Sequence, residues 1–236
     1  MKTYALTDIG LERRSNQDRY LIKEISETEL LLAVADGMGG TAGGDIAATA
    51  VKDALAAFTP VTESPEQELK VLIRKLSDEL LALSRGGDEK FFGMGTTVTA
   101  VVIIGSGAHW VHVGDSRLYH LTGTILIQIT TDQNWAQSLV DYGDMPPEEA
   151  RITPMRHMLA ECVGCPDRQS LTGTFEVKTG DSLFLCTDGV HGYLAPDDFR
   201  ARLTRQASIE ARLDDVIKGV LAAGGHDNAT IIGVEI

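Results

Sequence analysis

The chain has 236 residues, enough for one large domain or two small ones. Its composition, 43% hydrophobic and 23% charged, is that of a globular protein able to bury a sizeable core. The formal charge of −13 argues against a surface for nucleic acid or anionic membrane, and no basic run appears anywhere.

The first eight residues hold no apolar core of signal-peptide length. The longest apolar stretch, residues 98–104, is too short to cross a bilayer. A cytoplasmic chain is expected. Three strands come first in the predicted order. One covers 19–25 and is opened by Asp18. The next, 30–35, is a continuous apolar run closed by Asp36 and the glycine run Gly37-Met38-Gly39-Gly40. Two helices follow. Ile46, Ala50, Val51, Ala54, Leu55 and Phe58 make one apolar stripe; Leu69, Leu72, Ile73, Leu76, Leu80 and Leu83 make the other. Ser64-Pro65-Glu66-Gln67 reads as an N-cap, a proline at the first helical position and a capping-box Gln.

About four strands are predicted between 96 and 129, then a helical stretch containing prolines, then two strands. A helix over 208–223 stops at Gly224-Gly225, and a strand over 231–234 ends the order. Apolar runs without alternation are strands buried on both faces. Short connections favour antiparallel hairpins over crossover units. The expected fold is α+β: a four-layer α-β-β-α sandwich of two mainly antiparallel sheets flanked by helices, in a single domain. Cys162 and Cys165 form a lone C-x-x-C, without the second pair or the histidines that a zinc site needs. They are expected as unpaired thiols in a reducing compartment, and Cys186 as a core residue.

The chemistry concentrates at strand ends. Asp18, Asp36, Asp188 and Asp227 each lie at the edge of a predicted strand beside Gly, Asn or Gln, and Asp115 sits between two more strands. Converging carboxylates repel one another unless cations join them. Two divalent ions would bring +4 against the −4 of the four strand-end aspartates, and a phosphate dianion could then approach. Oxygen ligands suit Mg²⁺ or Mn²⁺, and a glycine carbonyl can join them. Arg13, five residues before Asp18, is the candidate grip on phosphate oxygens. The pattern Gly37-x-Gly39-x-x-Ala42 also fits a dinucleotide fingerprint. It is rejected because Asp36 would face the pyrophosphate and no second strand carries the acidic residue. No Gly-Lys-Ser/Thr supports a P-loop.

The ordered segments Asp8-Ile9-Gly10-Leu11-Glu12-Arg13-Arg14-Ser15-Asn16-Gln17-Asp18, Val34-Ala35-Asp36-Gly37-Met38-Gly39-Gly40, Gly93-Met94-Gly95-Thr96-Thr97, His112-Val113-Gly114-Asp115-Ser116-Arg117, Thr131-Asp132, Cys186-Thr187-Asp188-Gly189 and Asp227-Asn228-Ala229-Thr230 are found along most of the chain. Together they resemble the metal-dependent Ser/Thr phosphatases of the protein phosphatase 2C type, in their compact bacterial form. The resemblance implies hydrolysis of phosphoserine and phosphothreonine in proteins by in-line attack of a metal-bridging hydroxide. It implies two Mn²⁺ or Mg²⁺ ions, with a weaker third. Asp36 would bridge both metals and the Gly37 carbonyl would ligate one. Asp188 and Asp227 would complete the ligands of the first metal, Asp18 would act on the second metal, and Asp115 with Asp188 would hold the third. Arg13 would bind the phosphate, and Asn228 would orient the Asp227 loop.

Residues 132–168 would form the family's flap. Phosphorylated proteins, an opposing Ser/Thr kinase and a monomeric state are the implied partners and assembly, with no nucleic acid and no membrane. Gln17 stands where many relatives have Glu, and Thr41 where bacterial relatives often have His, so no protein general acid is assigned. His157 and His191 are expected in structural roles. The alternatives are a silent phosphoprotein-binding pseudophosphatase, which would lack a metal aspartate or the arginine, and a small-molecule phosphatase.

Overall fold

The structure is a computed structural model and describes residues 1–38, 40–166 and 169–236, the side chains of 40–42 and 89 aside. Gly39, the side chain of Thr41 and the far end of the expected flap at Arg168 lie outside the described residues.

Three strands open the chain: β1 (Lys2–Asp8), β2 (Asp18–Glu24) and β3 (Glu29–Met38). Helices α1 (Gly40–Ala57) and α2 (Pro65–Ser84) follow. Then come β4 (Gly95–Thr96), β5 (Val98–Ile104), β6 (Gly107–Val113), β7 (Arg117–Thr122) and β8 (Ile125–Gln128). The helical stretch consists of α3 (Trp135–Tyr142), α4 (Pro147–Ala150) and a 3-10 turn (Pro154–His157). The chain ends with β9 (Leu171–Glu176), β10 (Ser182–Cys186), α5 (Asp188–His191), α6 (Pro196–Thr204), α7 (Ile209–Ala222) and β11 (Ala229–Glu235).

One sheet runs β1-β11-β10-β7-β8 and the other β2-β3-β5-β6-β9, with β4 against β3. Pairing is antiparallel throughout both described sheets. Between the sheets, Leu32, Val34, Val101 and Ile103 meet Leu183, Leu185, Ile232 and Val234. On the outer face of the second sheet, Leu31 and Val102 pack against Val51, Leu55, Leu69 and Ile73 of α1 and α2. Phe184 and Ile231 pack under Phe199, Leu213, Val216 and Val220 of α6 and α7 on the other side. Neighbours such as Leu31 and Leu32 are both buried because each face of their strand has its own cover. Each such side chain contributes about 1.5–3 kcal/mol before chain entropy is counted. The layers are therefore α-β-β-α, as expected.

Two local expectations need correcting. Ser64 makes no side-chain cap bond to α2. It does stand at the N-cap position with Pro65 opening the helix, and the Glu68 carboxylate accepts the backbone N–H groups of the incoming residues 61 and 62 at 3.2 and 2.7 Å. Cys162 and Cys165 are joined in a disulfide and are not unpaired thiols. The turn between them sets their Cα atoms 5.2 Å apart, within disulfide reach. Gly164 makes that turn with φ +100°, and its N–H donates to Ser77 Oγ at 2.7 Å. Cys186 is a buried free thiol. Among the described residues no helix is long and apolar enough to cross a membrane.

Candidate active site

Strand register brings the first two aspartates together: Asp18 lies directly opposite Asp36 across β2 and β3. In the other sheet β10 and β11 are antiparallel neighbours, so the second residue after β10 and the second residue before β11 lie at one end. Asp188 and Asp227 occupy those positions. Asp188 does more than close a strand, since it opens the short helix α5 with Thr187 as the preceding cap residue. A hydroxyl then joins the two sheets. Thr187 Oγ1 donates to Asp18 Oδ2 at 2.8 Å and accepts the Thr230 N–H at 3.0 Å. Asp115 arrives on the turn that carries the chain from β6 in one sheet to β7 in the other.

The backbone around these carboxylates is held from several sides. The Asp36 N–H donates to Thr97 Oγ1 at 3.0 Å, and its carbonyl accepts from Thr96 Oγ1 at 2.8 Å. Thr97 Oγ1 in turn lies 2.8 Å from Ser116 Oγ, next to Asp115. Gly37 must be glycine here: a Cβ would stand 2.2 Å from the Gly44 carbonyl oxygen in the first turns of α1. Asn228 is buried and fully engaged. Its Oδ1 accepts the Gln17 N–H at 2.8 Å, and its Nδ2 donates to the carbonyls of Ile9 and Ser15 at 2.9 and 3.0 Å. Its own N–H donates to Asp227 Oδ1 at 2.8 Å. The loop of residues 9–17 is thus tied to Asp227, and it carries Arg13, whose Nη2 lies 2.7 Å from Asp227 Oδ2.

Electrostatics shows how close the carboxylates are. Burial pushes Asp18 up to about 7, against hydrogen bonds from Thr230 and Thr187, and the fields of Asp188 and Asp227 add to the rise. Burial, then Asp18, Asp188, Asp115 and Asp227, hold Asp36 well above the usual carboxylate range. Burial and Asp188 do the same to Asp115. Burial also works to raise Asp188, but His157, His191 and a hydrogen bond with Asp36 outweigh it and hold it low. The Arg13 guanidinium is raised by its hydrogen bond to Asp227, with the fields of Asp36 and Asp188 contributing.

Each of the five aspartates therefore lies in the field of at least one other, and Arg13 in that of Asp227, Asp36 and Asp188. Among the described residues no three His, Cys, Asp or Glu side chains already close on a single ion-sized point. Asp18 Oδ1 and Asp188 Oδ1 are nevertheless buried with no hydrogen-bond partner. Unpaired carboxylate oxygens beside a glycine backbone are a hard-oxygen set. It fits Mg²⁺ or Mn²⁺, ions that keep much of their own water and need few protein ligands.

His191 donates from Nε2 to the Asp115 carbonyl at 3.0 Å, and burial pushes it down to about 4, which favours the uncharged imidazole at neutral pH. His157 is exposed, with Nδ1 3.7 Å from Asp188 Oδ2. The hydroxyls of Thr97, Thr187 and Ser116 were not singled out by sequence, although each lies within the quoted motifs. Nor was His112, a buried imidazole bonded to Thr99 Oγ1 at 2.8 Å and to the Thr131 carbonyl at 3.1 Å. Arg117 grips Asp132 with two bonds, 2.8 and 2.7 Å, and so ties β7 to the start of the flap segment.

A family model described as protein phosphatase 2C matches residues 12–222. The protein phosphatase PhpP of Streptococcus pneumoniae is 31% identical over 237 residues, covering 98% of this chain and 96% of that one. The crystal structure of the Mycobacterium tuberculosis serine/threonine phosphatase PstP has a TM-score of 0.90 at 31% identity, covering 100% of this chain and 98% of the other. A PstP catalytic domain crystallised with two manganese ions has a TM-score of 0.86 at 30% identity, with 99% and 97% covered.

Proposed function

Because the chain belongs to the protein phosphatase 2C family, we propose that it is a divalent-cation-dependent phosphatase acting on phosphoserine and phosphothreonine in proteins. The observation that carries this reading is the cluster of Asp18, Asp36, Asp188 and Asp227 with two buried carboxylate oxygens left unpaired. In this reading Asp36 would help hold two ions, Mn²⁺ or Mg²⁺, with the Gly37 carbonyl as a further oxygen ligand. Asp188 and Asp227 would serve the first metal and Asp18 the second. Asp115 with Asp188 holds a weaker third. When bound, the ions would offset the carboxylate charge and lower the pKa of the water that attacks phosphorus in line.

The chain's own residues do the rest. Arg13 stands exposed at the lip, and its bond to Asp227 is one that a phosphate oxygen can replace. Asn228 keeps the Arg13 loop and Asp227 in fixed relation. Thr187 holds one oxygen of Asp18 and leaves the other turned to the cluster. Residues 132–168 act as a flap over the site. A single catalytic domain, working in the cytoplasm as a monomer opposite a Ser/Thr kinase, completes the proposal. The presence of every metal aspartate and of Arg13 weighs against a silent binding module.

The test is turnover of a phosphothreonine peptide and of p-nitrophenyl phosphate with Mn²⁺ and after EDTA. Hydrolysis should require the ion and be lost in Asp36→Ala together with Mn²⁺ binding. Turnover that EDTA leaves untouched would refute the cation-dependent reading.

A further inference from the structure

A cleft of about 1000 Å³ runs outward from the carboxylate cluster, between the flap segment on one side and α5 and α6 on the other. Its inner end is Asp188 and Asp115. Its floor is apolar: Tyr119, Leu126 and Phe199. Its rim carries arginines in a chain whose net charge is −13. Arg151 is exposed and has no carboxylate partner among the described residues. Arg200, across the cleft on α6, is paired among the described residues only with Asp197, at 3.0 Å and with that aspartate 92% exposed. An exposed pair of this kind holds weakly, and a stronger anion can replace it. The flap wall is fixed in place. Arg156 donates to the Arg151 carbonyl at 3.0 Å and to the Gly192 carbonyl of the opposite wall at 3.2 Å.

We propose that this cleft seats the polypeptide flanking the phosphorylated residue, and that Arg151 and Arg200 select substrates with Asp or Glu beside the phosphosite. The proposal rests on the phosphatase reading above. The apolar floor takes the body of the segment, and the two rim guanidiniums meet its carboxylates. Glu148 and Asp197 on the same rim repel acidic side chains that are not set against the two guanidiniums, so the preference is for carboxylates at particular positions.

The experiment uses two phosphothreonine peptides, identical except that the flanking positions carry Glu in one and Lys in the other. Each is measured with Mn²⁺ on the wild type and on the double variant Arg151→Glu, Arg200→Glu. The readouts are the ratio of kcat/KM values and, by fluorescence anisotropy, the ratio of Kd values. A ratio within one enzyme cancels any loss of folded protein. The wild type should favour the Glu peptide about tenfold, the preference shrinking as salt rises, and the variant should lose or invert it. A wild-type ratio near one, or a ratio unchanged in the variant, overturns the inference. No turnover of either peptide by the wild type, with its Kd ratio as expected, would instead overturn the phosphatase reading while the cleft's preference for acidic phosphopeptides stood.

Discussion

Arg13 illustrates how much one side chain depends on where the fold carries it. It is exposed, on a loop held by Asn228, with its guanidinium against Asp227 and within the field of Asp36 and Asp188. A planar fork in that place can exchange a carboxylate for a phosphate oxygen. Arg13→Ala should raise KM for a phosphothreonine peptide about tenfold, with a smaller change in kcat. Steady-state kinetics on matched preparations checks this, and an unchanged KM would remove Arg13 from the phosphate site. Sequence alone pointed to Arg13 and the aspartates because carboxylates beside Gly or Asn at the ends of apolar runs are visible locally. It did not point to Thr187, which meets Asp18 across 169 positions, because a hydroxyl becomes informative only once its partner is known.

Among the elements, the junction of α5 with β11 bears most directly on the site. A Cβ on Gly189 would stand 1.8 Å from the Asn228 carbonyl oxygen, so any side chain there must displace the residue that ties Gln17 to Asp227. Gly189→Ala should cost about 1–3 kcal/mol. For a chain of this size that is a fall in Tm of about 3–10 °C. Calorimetry beside Mn²⁺ titration tests it; a variant with wild-type Tm and metal affinity would show that the contact gives way freely. Most elements were legible because apolar runs and stripes repeat along the chain. The errors came where a distant group intervened. Glu68 bonds the incoming residues 61–62 while Ser64, at the N-cap position, makes no side-chain bond, and the left-handed turn at Gly164 brought Cys162 to Cys165.

At the scale of the whole molecule, the carboxylate cluster sets how stability follows pH. Asp18, Asp36 and Asp115 all have folded-state values raised above the unfolded one, so the folded chain holds their protons more tightly. Their contribution is fully present below the unfolded value of 3.8 and is lost as pH rises through about 7, the value for Asp18. Asp188, held low, contributes with the opposite sign, but its loss falls at more acidic pH. The metal-free protein should therefore lose Tm between about pH 4 and pH 7. Saturating Mn²⁺ should reverse the loss, since ions favour the ionised carboxylates, with a gain of about 2.7 kcal/mol at a hundredfold excess over Kd. Differential scanning calorimetry across pH with EDTA or Mn²⁺ decides the matter: a metal-free Tm that climbs over that window would contradict the assigned electrostatics.

The amino-acid order by itself determined the layered fold and the residues worth watching, because burial on both faces, helix periodicity and an aspartate beside a glycine are properties of neighbouring positions. Only the tertiary structure decided which of those aspartates meet, which hydroxyls hold them and where the arginine-rimmed cleft opens. Those facts depend on strands far apart in the chain lying side by side, and no local pattern encodes that distance.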